Sequence, residues 1–207
     1  MLLTEKEKSH INELAAQVEA RTGVQILTVV AGKSDAYPEV PWKAFALGTS
    51  FAALAVVLAV YIRPGSDPLP PFLSGAVVLG AGMVLALSGV FLQPVSRCFL
   101  SQERVACETR QFAQSLFLER GLSRTQSRNA LLILASRFER RAAVVADIGV
   151  IDRVPRAELE KLSRAMDSAL ARGSAPAALA DALSALEELL LRHGFAASSG
   201  GDEIADE

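Results

Sequence analysis

Asp147 is the acid with the most chemical promise in this sequence. It follows the apolar run Ala142-Ala-Val-Val-Ala146 and precedes Ile148-Gly149, so it stands where a strand ends and a loop begins, a place where ligands commonly bind in α/β folds. Asp152 lies five residues on, and Glu119 precedes the loop at Gly121. Brought together, these carboxylates would make a hard-cation site, because calcium and magnesium take oxygen ligands. Calcium or magnesium is therefore the cofactor to consider, although the pattern demands none. The alternative is that Asp147 caps its loop by accepting backbone N–H bonds. Arg120, Arg124 and Arg128, with Thr125 among them, form a basic set able to hold a phosphate or an anionic lipid headgroup. A solvated charged surface is the competing explanation.

The remaining catalytic inventory is thin. The two histidines, His10 and His193, stand in no metal-ligand spacing with another His or Cys. No glycine-rich phosphate loop follows a strand, and there is no nucleophile elbow. His193, just before Gly194, fits a helix C-terminus, where the helix dipole favours a cation. Cys98 and Cys107 offer no disulfide framework. On one helix, their spacing at about 100° per residue would put them on opposite faces.

The elements that must position these residues divide by composition. The chain is 51% hydrophobic and 21% charged, with a net charge of −2. That balance supplies no basic field for nucleic acid. The charges lie almost entirely outside Trp42–Leu92. The opening Met1-Leu-Leu-Thr-Glu-Lys-Glu-Lys8 has neither the apolar core nor the cleavage site of a signal peptide. Membrane targeting is therefore expected from an internal segment.

Two runs, 42–62 and 72–92, are long enough to cross a bilayer, since about 20 residues of helix span its hydrocarbon core of about 30 Å. Trp42 and Tyr61 mark the ends of the first, where amphipathic rings settle at headgroup level, and Lys43 can snorkel to the surface. Between the runs, Arg63-Pro-Gly-Ser-Asp-Pro-Leu-Pro-Pro71 contains four prolines and a glycine, which cannot continue a helix. Small residues recur four apart, as in Gly48 with Ala52 and Gly82 with Ala86. This spacing suits close helix packing within the hairpin or across a homo-oligomer. The connecting turn carries only Arg63, whereas the outer flanks carry Lys33, Lys43, Arg97, Arg104 and Arg110. By the positive-inside rule both termini face the cytoplasm, with a bacterial inner membrane as the natural setting. The spans hold no buried acid or base that would suggest a transport path.

The flanks read as one domain interrupted by the hairpin. Thr4 with Glu7 makes a capping box, and Ile11, Leu14, Ala15 and Val18 continue a helix to about Arg21. Val24–Val30 reads as a strand. Beyond the hairpin, Phe99, Ala106, Phe112, Ala113, Leu116 and Phe117 mark a helix that Gly121 stops. Ala130–Ala135 reads as a strand covered on both faces, and Ala142–Ala146 as its hairpin partner. Two amphipathic helices close the domain, with Gly173 as C-terminal stop and Ser174 as N-cap. The expected fold is α/β, a small sheet sandwiched by helices and interrupted by a two-helix transmembrane hairpin. Its segments are 1–40 (helix and strand), 41–94 (hairpin), 95–195 (the rest of the domain) and 196–207, a disordered acidic tail.

The phrases Phe112-Ala113, Gly121-Leu-Ser-Arg-Thr125, Arg128-Asn-Ala-Leu-Leu-Ile-Leu-Ala-Ser136, Glu139-Arg140 and Val145-Ala-Asp147-Ile-Gly149 resemble a TPM domain. Bacterial members also share the layout, opening with a helix that ends in a phrase like Glu19-Ala-Arg21-Thr22, then a strand and a transmembrane pair. Many relatives carry Ser-Gly-Glu after the Arg-Thr pair; here Gly23-Val24-Gln25 lacks that acid. The resemblance implies a role drawn from acid phosphatase activity, calcium binding, or the assembly and repair of membrane protein complexes. Two functions follow as expectations. The favoured one is a non-enzymatic, membrane-tethered accessory module at the cytoplasmic membrane surface, whose partners are the lipid bilayer and another membrane or membrane-associated protein. The other is a divalent-cation-dependent phosphatase acting near the membrane.

Overall fold

A computed structural model describes residues 3–62, 70–125 and 128–196. The turn at 63–69 and the tail at 197–207, for which the sequence made specific expectations, lie outside the described residues. In chain order the elements are α1 (Glu5–Thr22), β1 (Gln25–Ala31), α2 (Glu39–Ile62), α3 (Pro71–Phe91), α4 (Gln93–Cys98) and α5 (Gln102–Glu119). A 3-10 turn (Leu122–Arg124) then leads to β2 (Ala130–Ser136), β3 (Arg141–Ala146), α6 (Ile148–Ile151), α7 (Arg156–Ala171) and α8 (Ala175–Arg192). They form two compact units, Met1–Asp35 with Glu103–Glu207, and Ala36–Gln102.

The first unit is built on a three-stranded sheet of order β1-β2-β3. β1 pairs parallel with β2, Gln25 opposite Ala130, and β2 pairs antiparallel with β3, Leu131 opposite Ala146. Period-two alternation sends successive side chains to opposite faces, and the sheet has a core on each. On one face Ile26, Leu131 and Ile133 pack with Ile11 and Val18 of α1, Leu162 and Met166 of α7, and Leu183 and Leu186 of α8. On the other, Leu132, Leu134 and Ala143 meet Ala113 and Phe117 of α5. Every residue of β2 is buried, as a central strand between two helical layers requires. β3, by contrast, is an edge strand and mostly half-exposed.

Local chemistry sets the element ends. The Thr4 hydroxyl accepts the Glu7 N–H at 3.3 Å, and the Glu7 carboxylate accepts the Thr4 N–H at 2.8 Å, which closes the capping box at α1. Gly23 (φ 69°) and Gly121 (φ 67°) take the left-handed conformation just past α1 and α5, where a side chain would be strained. Ser174 occupies the position before α8, but its hydroxyl does not cap the helix; Pro176 just inside the helix supplies the start signal instead. The helix expected from Phe99 onward starts only at Gln102 as α5, and Phe99 is instead the C-cap of a separate short helix, α4. Cys98 and Cys107 therefore sit on separate helices, both free and exposed.

The second unit holds α2 and α3, packed together and each long and apolar enough to cross a membrane, followed by the short α4. At 24 and 21 residues they extend about 36 and 31 Å at about 1.5 Å per residue. Their contact is built on glycine. A Cβ at Gly48 would lie 2.9 Å from the Ala81 carbonyl oxygen and 3.0 Å from Gly82 Cα, and one at Gly82 would lie 2.5 Å from Thr49 Cγ2. The backbones approach as closely as small residues permit. Gly75 and Gly80 face open space, so only part of the small-residue pattern serves this contact. The hydroxyls of Thr49, Ser50 and Ser88 donate to carbonyls three or four residues earlier on their own helices.

Candidate functional site

Two of the residues flagged by sequence, Arg128 and Asp147, meet at one corner of the α/β unit, where the chain entering β2 meets the start of α6. β2 begins at this corner and β3 ends there: the Asp147 N–H donates to the Ala130 carbonyl at 2.8 Å, and the Gly149 N–H to the Arg128 carbonyl at 3.1 Å. Arg128 has φ 53°, uncommon for a residue with a Cβ. Its own N–H donates to the Thr125 carbonyl at 3.2 Å.

Asp147 is buried, only 7% exposed. Its Oδ1 accepts the Ile148 N–H at 2.8 Å and lies 3.8 Å from Arg128 Nη1. The carboxylate thus has the loop-capping role and a charged partner across the corner. Its Oδ2 and the Thr125 hydroxyl are buried without a hydrogen-bond partner among the described residues. Of the six flagged residues, the structure pairs Arg128 with Asp147. Asp152 is the exposed C-cap of α6 and Glu119 the exposed last residue of α5. Arg120 and Arg124 are exposed on the loop that follows. Among the described residues no three His, Cys, Asp or Glu side chains gather as metal ligands. His193 takes the C-cap of α8, its Nε2 3.4 Å from a Glu158 carboxylate oxygen.

A second feature had no counterpart in the sequence reading. A groove of about 430 Å³ runs along the free edge of β3, between α5 and α7. Arg110 of α5, Arg141 of β3, and Arg156 and Arg164 of α7 line it, against Glu160 and Asp167. Asp167 is committed at one end: its carboxylate accepts the Ala142 N–H at 2.7 Å and an Arg141 guanidinium N–H at 2.8 Å. The available signal in the sequence was Arg156-x-x-x-Glu160-x-x-x-Arg164, a helical stripe of charge. Sequence spacing does not say which strand is an edge or which helix faces it.

Residues 101–189 match the family model described as the TPM domain. That segment runs from α5 into α8 and contains both the Asp147 corner and the arginine-lined groove. Comparison with curated proteins gave no match. Among solved structures, the chain is similar to the BA42 protein from the psychrophilic bacterium Bizionia argentinensis, determined by NMR. The TM-score is 0.54 at 13% identity, covering 98% of this chain and 90% of that one. At that identity the likeness concerns the fold. Residues 101–189 thus match the TPM domain model, and the fold of nearly the whole chain is like that of the solved neighbour.

Proposed function

We propose that this protein is a membrane-tethered accessory module whose TPM domain binds another protein at the cytoplasmic face of a bacterial inner membrane. The observation that carries this reading is the placement of the flagged acids. Asp147 is engaged with the Ile148 N–H and Arg128, while Asp152 and Glu119 are exposed and join no ligand cluster among the described residues. The α2–α3 hairpin supports the tether, because its large apolar side chains face outward: Trp42 is 74%, Phe51 64% and Phe72 78% exposed. Such a surface is stable in hydrocarbon and costly in water. The orientation rests on the Lys and Arg bias of the flanks.

A divalent-cation-dependent phosphatase is the second reading, favoured by one observation. Asp147 Oδ2 and the Thr125 hydroxyl are each buried without a partner among the described residues, and Arg128 Nη1 lies 3.8 Å from Asp147 Oδ1. Calcium or magnesium would be its cation.

The deciding experiment is phosphate release from a generic phosphomonoester by the detergent-purified protein, with calcium or magnesium and with chelator, beside Asp147→Asn. The accessory reading expects no turnover above that of the variant. Cation-dependent turnover lost in Asp147→Asn would replace it with the phosphatase reading. The exposed Cys98 and Cys107 report topology: an impermeant maleimide should label them only after spheroplasts are permeabilised, and labelling of intact spheroplasts would reverse the orientation.

A further inference from the structure

The free edge of β3 carries a partly open hydrogen-bonding ladder. In an antiparallel pair, alternate residues turn their N–H and C=O toward the neighbouring strand and the rest turn them away. The Asp147 N–H bonds the Ala130 carbonyl, so with the observed register Arg141, Ala143 and Val145 address β2. Ala142, Val144 and Ala146 address the open side. The Ala142 N–H confirms the phase, because it donates outward to Asp167.

Native edge strands are usually blunted along their length to prevent unwanted pairing. The opposite edge of this sheet has one such device, since the outward Ile26 N–H of β1 donates to the Glu19 carboxylate. On β3, Asp167 covers only the Ala142 end. No described residue bonds the outward backbone groups of Val144 and Ala146. The helices on either side keep this stretch open rather than covered, and they line it with positive charge. Arg110 lies on the α5 side, and Arg156 and Arg164 on the α7 side. None of the three is ion-paired among the described residues.

We propose that the β3 edge is a strand-addition site for an extended acidic segment of a partner protein, paired along Val144–Ala146 and held by Arg110 on one side and Arg156 and Arg164 on the other. Strand addition takes its affinity from main-chain hydrogen bonds and its specificity from alternate side chains. Successive side chains of an added strand point to opposite faces, so adjacent carboxylates would reach the arginines of α5 and of α7 together. Charge selects the occupant: with Arg141 and Asp167 paired to each other, three arginines stand against one acid, Glu160. An anionic lipid surface would satisfy the arginines but leave the outward N–H and C=O groups unused, which is why a peptide is the better fit. The proposal rests on the accessory-module reading and names the partner's chemistry.

The test uses the full-length protein in nanodiscs of phosphatidylcholine, which carry no net charge. The probe is a fluorescein-labelled peptide Thr-Val-Glu-Glu-Val-Thr, read by anisotropy, with two controls: its lysine analogue and a version N-methylated at alternate positions. The glutamate peptide should bind, Arg110→Glu and Arg156→Glu should each weaken it by about tenfold, and both control peptides should fail. Val144→Pro should abolish binding while preserving the far-UV circular dichroism spectrum, since proline is tolerated where a strand N–H faces outward at an edge. Equal binding of the N-methylated peptide would overturn the proposal, because attraction without strand pairing would explain it. So would absence of peptide binding, or arginine-dependent binding of phosphatidylglycerol vesicles in its place. Photo-crosslinking to membrane proteins separates the two levels. Crosslinks that persist in Val144→Pro would sink the β3 site and leave the accessory reading standing, whereas no crosslinks in either protein would remove both.

Discussion

The two units of this protein use the same apolar side chains in opposite ways. In the α/β unit Leu131, Leu132, Ile133 and Leu134 are fully buried, and burial of that kind drives folding in water. In the hairpin Leu54 is 54%, Leu79 60% and Val57 65% exposed, while the glycines Gly48 and Gly82 occupy the helix–helix contact. Large residues inside and polar outside is the arrangement for water. Small residues inside and large outside is the arrangement for a surrounding that is itself apolar, where helices gain from close packing rather than from hiding hydrocarbon.

Truncation should expose that difference most strongly. Leu131→Ala should destabilise the α/β unit by about 2–5 kcal/mol, measured by denaturant unfolding in detergent, whereas Leu54→Ala should leave that transition within about 0.5 kcal/mol. Similar costs at the two sites would mean that the hairpin is a core element after all. Enlarging a glycine should reverse the ranking of the units. Gly48→Val meets the backbone of α3 and should weaken the α2–α3 pairing by about 1–3 kcal/mol, while Gly80→Val, in open space, should be close to neutral. Interhelical energy transfer across a denaturing detergent titration would distinguish them.

Within the α/β unit the contrast narrows to the two sheet edges. Asp167→Ala frees the Ala142 N–H and leaves Arg141 without its carboxylate, at an expected cost of about 1–3 kcal/mol. Hydrogen exchange should then rise first at Ala142, and a rise spread evenly over the sheet would argue against an edge-specific role. The smallest effect belongs to the exposed cap of α1. The Glu7 carboxyl is held below its ordinary pKa by the Thr4 backbone N–H, then by the Thr4 hydroxyl and more distantly by Arg137. A lowered folded-state pKa means that its contribution is present above the unfolded value and lost as pH falls through the folded one. An acid titration of stability should therefore lose a small component below the ordinary glutamate pKa, and Glu7→Gln should remove that component.

Much of this organisation is written in local patterns. Both long apolar helices, the capping box at Thr4 and Glu7, the glycine stops at Gly23 and Gly121, and the β2–β3 hairpin follow from short-range spacing, because caps and turns depend on neighbours in the chain. The TPM resemblance carried by 112–149 likewise lies on contiguous residues, and the family model covers them. The short α4 and α6 were not legible, since helices of six and four residues leave no periodic signal. The site was legible only in fragments. Asp147 stood out by its place after a strand, but its pairing with Arg128 depends on how the loop folds back over α6.

The sequence by itself determined the two apolar spans, the element types and the position of the buried acid, because periodicity, caps and hydropathy are properties of neighbouring residues. Tertiary structure alone decided that β1 joins β2 across the intervening hairpin, that β3 is left at an edge, and that Arg110 faces the same groove as Arg156 and Arg164. Those outcomes rest on contacts between residues far apart in the chain, where strand order and the stacking of helices on a sheet fix which side chains meet.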